Sequence, residues 1–144
     1  MFNIISKVNN FLTIQECDSL INYFKKNIKH TDKYRDTIIL KHKNEKILER
    51  LNNMITFFNF KNVDNMEIVS WPEGSRMKPH YDEGDFLSFL VYLNDDYLGG
   101  ETIINNIKFK PNQGAIVIFS NGLYLHEVNK IEKGNRYTLI AWYK

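Results

Sequence analysis

His80-Tyr81-Asp82 sets one neutral nitrogen ligand and one carboxylate two residues apart, at the end of the stretch WPEGSRMKPHYD that begins at Trp71. In an extended segment side chains at i and i+2 leave the same face, so His80 and Asp82 point at a common spot. That is part of a metal site, and the remaining histidines are His30, His42 and His126. His30 and His42 have no carboxylate at ligand spacing and read as surface histidines, whereas His126 lies in NGLYLHEVNKIEKGNRYTLIAW, after a strongly strand-like run. Two histidines and one carboxylate make the facial arrangement that holds non-haem Fe(II) and leaves positions open for a co-substrate and dioxygen. The candidate metal ligands are therefore His80, Asp82 and His126.

Arg136 stands ten residues after His126, with a turn signal at Lys133-Gly134 between them. The two residues then lie on neighbouring antiparallel strands with both side chains entering one cavity. An arginine inside such a cavity is costly unless an anion meets it, and a carboxylate held by two parallel hydrogen bonds is the best partner. The plainer alternative is a rim arginine paired with Glu127 or Glu132.

These residues need a frame, and the sequence predicts one in two parts. Phe2 to Val8 reads as a first strand. Thr13-Ile14-Gln15-Glu16 has the form of a capping box, with Leu12 as the outer half of a hydrophobic staple. Apolar residues from Ile14 to Ile28 follow at helical spacing and predict a helix over about 14–27. His30 to Asp36 is polar and reads as a loop, the polar segment Asn27 to Asp36 is the first place to look for a lid, and Thr37 to Lys41 reads as a strand. Asn44 caps a second predicted helix whose stripe runs Ile47, Leu48, Leu51, Met54, Ile55 and Phe58.

From Asn65 the texture changes to short strands broken by turn residues. Strands are predicted near Met66–Trp71, Lys78–Asp82, Phe86–Leu93, Glu101–Ile104, Ile107–Lys110, Ala115–Phe119, Leu125–Val128 and Arg136–Tyr143. Turn signals such as Gly99-Gly100, Asn105-Asn106, Asn121-Gly122 and Lys133-Gly134 separate them. The expected fold class is α+β: a double-stranded β-helix (jelly roll) over about 65–144, buttressed by N-terminal helices over about 1–60, in one domain of 144 residues.

A formal charge of +2 carries no electrostatic footprint of a dedicated nucleic-acid binder. Cys17, on the apolar face of the first helix, reads as an inert buried thiol suited to a reducing compartment. The longest apolar stretch, Phe86 to Leu93, is too short to span a bilayer, and a soluble cytoplasmic protein is expected.

The C-terminal part resembles the Fe(II)- and 2-oxoglutarate-dependent dioxygenases, specifically the prolyl 4-hydroxylase-like group. The matching residues are His80-x-Asp82, Tyr92-Leu93-Asn94, Gly99-Gly100-Glu101-Thr102, Pro111 with Gly114 and Phe119, His126, and Gly134-x-Arg136 running on to Trp142; NFLTIQECDSLI resembles the group's N-terminal helix. Each piece alone is weak, but their order and spacing together are specific. The resemblance implies that His80, Asp82 and His126 hold Fe(II), and that Arg136 pairs with the distal carboxylate of 2-oxoglutarate. It also implies that Tyr92 hydrogen-bonds that carboxylate and that Thr102 and Trp71 belong to the co-substrate pocket. Trp71 stands where many members have a tyrosine and supplies no phenol hydroxyl. Ordinary core packing is the alternative for Tyr92, Trp71 and Trp142.

Trp142, six residues after Arg136, matches an aromatic residue near the substrate, and Met77 occupies a position where many peptidyl-proline hydroxylases have a tyrosine. The loop Glu83-Gly84-Asp85 is short where relatives have a longer closing segment. The implied reaction is hydroxylation of a C–H bond, in the first instance of peptidyl proline, with dioxygen as second co-substrate and ascorbate as a reductant. Alternatives are the same chemistry on a free amino acid or other small molecule, a zinc hydrolase, or a non-catalytic metal-binding jelly-roll module. A branch acting on nucleic acid is disfavoured, because it has a second arginine where this chain has Trp142. The oligomeric state is left open.

Overall fold

The computed structural model describes residues 3–84 and 87–144. Phe2, Asp85 and Phe86, which the sequence assigns to the first strand, the short loop and the start of a central strand, lie outside the described residues.

Helix α1 spans Ile14–Lys26 and starts with the expected reciprocal cap: Glu16 N–H donates to Thr13 Oγ1 at 3.1 Å and Thr13 N–H donates to Glu16 Oε1 at 3.0 Å. Its buried face is Cys17, Leu20 and Phe24. Helix α2 spans Glu45–Met54, capped by Asn44 Oδ1, which accepts from Ile47 N–H at 3.1 Å. The helix ends before the apolar stripe does, because Ile55 leaves helical geometry and Phe58 N–H bonds back to Ile55 O in a turn. Arg50 joins the two helices by donating to both oxygens of Glu16, at 2.9 and 2.6 Å, and holds that carboxyl down at about 2.

The strands are β1 Ile5–Val8, β2 Asp32–Tyr34, β3 Thr37–His42, β4 Met66–Trp71, β5 Met77–His80, β6 Leu87–Tyr92, β7 Leu98–Gly99, β8 Thr102–Ile104, β9 Ile107–Phe109, β10 Ile116–Ser120, β11 His126–Val128, β12 Ile131–Lys133 and β13 Arg136–Tyr143. A seven-stranded sheet runs β1-β10-β6-β13-β4-β3-β2, a four-stranded sheet runs β5-β11-β8-β9, and β12 pairs with β7. All pairings among the described residues are antiparallel. Asn105 and Asn106, with φ of 49° and 64°, form the two-residue turn that lets β8 fold back on β9.

Period-two alternation in the large sheet sorts residues between two interiors. Leu87, Phe89 and Val91 of β6, Met66 and Ile68 of β4, and Leu139, Ala141 and Tyr143 of β13 join the helices in the main core. Leu90 and Tyr92 of β6 face the other way, onto Ile104 of the small sheet, and Val69 and Trp71 of β4 meet Val128 and Ile131. The central strands are therefore buried on both faces, which explains why they read as continuous apolar runs.

Two predicted features are corrected. The polar stretch from His30 to Asp36 is not only a loop, since a 3₁₀ turn covers Ile28–His30 and Asp32–Tyr34 pairs with β3. This edge strand is exposed throughout, so no alternation marks it, and its register comes from the partner. His42 is also no simple surface residue: it stacks on Tyr23 at 4.6 Å and both ring nitrogens are buried without a hydrogen bond.

Candidate functional site

The cleft between the two sheets is a cavity of about 630 Å³ lined by His80, Asp82 and His126 on one wall and by Trp71, Arg136 and Trp142 on the other. His80 and His126 are directly opposed Cα partners on β5 and β11, and their ring centroids are 4.3 Å apart. Their Nε2 atoms lie 3.4 and 3.5 Å from Asp82 Oδ1. One ligand atom from each of the three residues falls within 4.8 Å of the others.

Asp82 reaches this point by a different route from the one its spacing suggests. Strand β5 stops at His80, so an extended i, i+2 repeat does not carry Asp82. Instead Asp82 N–H donates to Asn121 O at 3.2 Å, across the turn that leads into β11. Gly122 makes that approach possible, since a Cβ there would sit 2.0 Å from Gly84 O.

Both histidines are oriented for ligation. His80 Nδ1 is 2.7 Å from Lys78 O and His126 Nδ1 is 2.9 Å from Tyr124 O. A carbonyl oxygen only accepts, so each Nδ1 carries the proton and each Nε2 presents a lone pair toward Asp82. Two imidazole nitrogens and a carboxylate oxygen suit Fe(II), and the set lacks the thiolates of a structural zinc site.

Arg136 begins β13 and is fully buried. It does not lie on a strand neighbouring His126, as the intervening turn suggests: β13 pairs with β4 and β6 in the large sheet, while β11 sits in the small one. The short strand β12 separates them and carries the chain from one sheet to the other. A rim arginine paired with Glu127 or Glu132 is excluded by its complete burial, and it forms none of the ion pairs among the described residues. Nη2 donates to Thr102 Oγ1 at 2.9 Å, and the guanidinium lies 4.7 Å from the Trp71 ring and 5.3 Å from the Tyr92 ring. Nε and Nη1 are buried with no hydrogen-bond partner among the described residues. A buried cation with two unsatisfied donors is a site for an anion, and a carboxylate satisfies it best.

The other predicted residues gather here in distinct ways. Thr102 and Trp71 line the cavity, with Trp71 Nε1 donating to Thr138 Oγ1 at 3.2 Å. Tyr92 does not line it; its hydroxyl lies behind Thr102, 2.6 Å from Oγ1, and burial pushes its pKa up while the Arg136 charge opposes the shift. Met77 and Trp142 line the cavity, and Trp142 is the more exposed.

Tyr97 is a neighbour of Arg136 that sequence reasoning passed over, because it follows the turn signal Asp95-Asp96. It is 4% exposed, and burial raises its pKa while the Arg136 guanidinium beside its hydroxyl opposes the shift. An aromatic residue placed just before Gly99-Gly100 was the available signal. Gly100 keeps this corner open: a Cβ there would lie 2.4 Å from Ile131 Cδ1 and 3.3 Å from Arg136 Cδ.

Residues 66–144, more than half of the chain, match the sequence model of the 2OG-Fe(II) oxygenase superfamily. The chain belongs to that superfamily. A PKHD-type hydroxylase from Prochlorococcus marinus (strain MIT 9215) is 39% identical over 62 residues, which cover 39% of this chain and 28% of that relative. The matched stretch is thus under a third of the relative's length. The fold is shared with a prolyl-4-hydroxylase from Pseudomonas putida, at a TM-score of 0.84 and 18% identity, over 99% of this chain and 92% of the other. It is also shared with the viral collagen prolyl hydroxylase of Paramecium bursaria Chlorella virus-1, solved with 2OG, at a TM-score of 0.76 and 20% identity, over 96% and 94%. No helix among the described residues is long and apolar enough to cross a membrane. In this oxygenase the donor set fits Fe(II), and the unsatisfied guanidinium fits a 2-oxoglutarate carboxylate.

Proposed function

We propose that this oxygenase hydroxylates a C–H bond using Fe(II), 2-oxoglutarate and dioxygen, with peptidyl proline as the first substrate class to test. The observation that carries the reading is Arg136, fully buried with two orphaned donors in the same cavity as the His80, Asp82 and His126 cluster. The names of the prolyl hydroxylases that share the fold support the choice of proline, and a free amino acid or other small molecule is the alternative.

In this reading His80 Nε2, His126 Nε2 and an Asp82 oxygen hold the metal, and their backbone anchors fix the ring orientations before it arrives. Arg136 takes the distal carboxylate of 2-oxoglutarate, with Thr102 beside it, Tyr92 bonded to Thr102 from behind and Trp71 walling the pocket. When bound, Fe(II) with its co-substrates supplies the oxidation, in which 2-oxoglutarate leaves as succinate and carbon dioxide and one oxygen atom enters a substrate C–H bond. Trp142 and Met77 line the part of the cavity left to the substrate. Ascorbate is proposed as the reductant that keeps the metal in the Fe(II) state. The two facing sheets are read as one double-stranded β-helix over about 65–144, buttressed by the helices of about 1–60 in a single domain.

The test is anaerobic visible absorption during titration with Fe(II) and then with 2-oxoglutarate. A charge-transfer band that appears with the wild type and is lost in Asp82→Ala supports the reading. Folded, metal-loaded protein that gives no band overturns it.

A further inference from the structure

Resting on that reading, we infer that the substrate carries a positive charge next to the position to be hydroxylated, and that Glu67, beside Trp142, is the residue that selects it. Alternation along β4 puts Glu67 on the face shared with Val69 and Trp71, which line the cavity, and Glu67 lines it too. On β13 the residue opposite Glu67 is Ile140, and Trp142 follows two places later on the same face. Carboxylate and exposed indole thus share one end of the cavity floor, with Arg136 at the other end of the same two strands. A carboxylate and an aromatic face together suit an ammonium or guanidinium group.

Glu67 makes no hydrogen bond among the described residues, and the oppositely charged Lys41 stands directly across the ladder from it on the same face. It is half-buried and takes part in none of the ion pairs found among the described residues. Its cross-strand neighbour Lys41 is exposed, does not line the cavity and lies beyond ion-pair distance. Burial pushes the Glu67 carboxyl above its ordinary value, Lys41 on the neighbouring β3 opposes that shift, and Asp32 on β2 beyond it adds to it. A carboxylate left desolvated on an enzyme cavity floor gains from a cationic partner, which restores what burial takes from it.

The remaining charges agree. A dicationic metal, the Asp82 carboxylate, dianionic 2-oxoglutarate and Arg136 neutralise one another. Of the other charged residues described on the cavity wall, Glu67 and Glu83 are acidic and Arg35 is basic, while Glu127, between the inward-facing His126 and Val128 of β11, turns its side chain to the outer face of the small sheet. Arg35 is exposed at the tip of the β2–β3 hairpin, stacked 5.3 Å over Tyr34, where solvent screens it. Glu83 is exposed as Arg35 is and is screened with it, so the half-buried Glu67 is the charge that this end of the cavity keeps.

The test uses three proline-centred heptapeptides that differ only in the residue beside proline: lysine, norleucine or glutamate. Binding is measured by calorimetry on protein loaded with Mn(II), which supports no turnover, and 2-oxoglutarate. The lysine peptide is expected to bind about tenfold more tightly than the norleucine peptide, with glutamate weakest; Glu67→Gln brings lysine and norleucine to within about twofold, and Glu67→Lys reverses the order. Equal binding of the three peptides, no binding of the lysine peptide, or a lysine preference that survives in Glu67→Gln overturns the inference. Binding of 2-oxoglutarate, measured separately without peptide, reports on the oxygenase reading. Its absence beside an intact lysine preference counts against that reading alone, and normal co-substrate binding without any preference counts against Glu67 alone.

Discussion

Arg136 and Thr102 share a hydrogen bond of 2.9 Å across the junction of the two sheets, and that contact leaves Nε and Nη1 of the same guanidinium without partners. The free protein thus holds an incompletely satisfied charge in its interior. Arg136→Met is expected to leave the ligand-free protein as stable or more stable, by about 1–4 kcal/mol, because it removes that buried charge. The same change should abolish the rise in thermal midpoint that 2-oxoglutarate gives the wild type. Thermal melts of both proteins with and without 2-oxoglutarate check the pair, and a variant still stabilised by the co-substrate contradicts the assignment of Arg136.

Asp82 is the one carboxylate within reach of both imidazole Nε2 atoms, at 3.4 and 3.5 Å, among the ion pairs of the described residues. Asp82→Ala should weaken Fe(II) binding by at least about 100-fold. It should leave the fold intact, since Asp82 is tied to the Asn121 turn through its backbone. Anaerobic metal titration with circular dichroism separates the two effects.

Gly100 adopts φ of 66°, and a side chain there would meet Ile131 and Arg136. Gly100→Ala is expected to destabilise the protein by about 1–3 kcal/mol and to raise the KM for 2-oxoglutarate, because strain and displaced contacts fall on one corner. Urea denaturation beside co-substrate kinetics measures both; an unchanged KM would show that Arg136 does not feel this turn.

His42 is neutral in its buried setting, since desolvation lowers its pKa below 6.5. A histidine held neutral in the folded state contributes full stability above the unfolded pKa and loses it as pH falls below 6.5 toward the folded value. Urea midpoints at about pH 7.5 and about pH 5.5 should therefore fall further for the wild type than for His42→Phe. Equal slopes in the two proteins would remove His42 as the cause.

Cys17 is fully buried on the inner face of α1 and burial pushes its thiol up to about 12. Thiolate is the reactive form, so native protein should resist iodoacetamide at neutral pH and react only as it unfolds. Mass spectrometry across a urea series gives the answer, and rapid labelling of native protein would contradict the placement.

Both helices, their caps and most strands were legible because local rules decide them: a Thr13/Glu16 box, an Asn44 cap, and apolar periods of 3.6 or two. Residues of the site were legible as types in order. Their geometry was not, since the spacing of His80 and Asp82 suggested one continuous strand, and the turn before Arg136 suggested that it neighbours the His126 strand. The chain instead leaves β5 at His80 and changes sheets between His126 and Arg136. Such choices depend on which distant backbone completes a ladder. Strands β2, β7 and β12 were hidden for the same reason: each is two or three residues long and draws its register from a partner. Tyr97 and Glu67 were hidden because nothing in a local pattern says which interior a side chain faces.

The pairing of His80 with His126 has a consequence for the lifetime of the protein. Strand β5 lies at the edge of the four-stranded sheet and pairs through an irregular register with β11. A metal held by His80 and His126, as proposed, would clasp that edge from both strands. Under the proposed ligand set, metal binding is expected to raise amide protection and protease resistance along β5, so the ligation that serves the chemistry also closes a sheet edge.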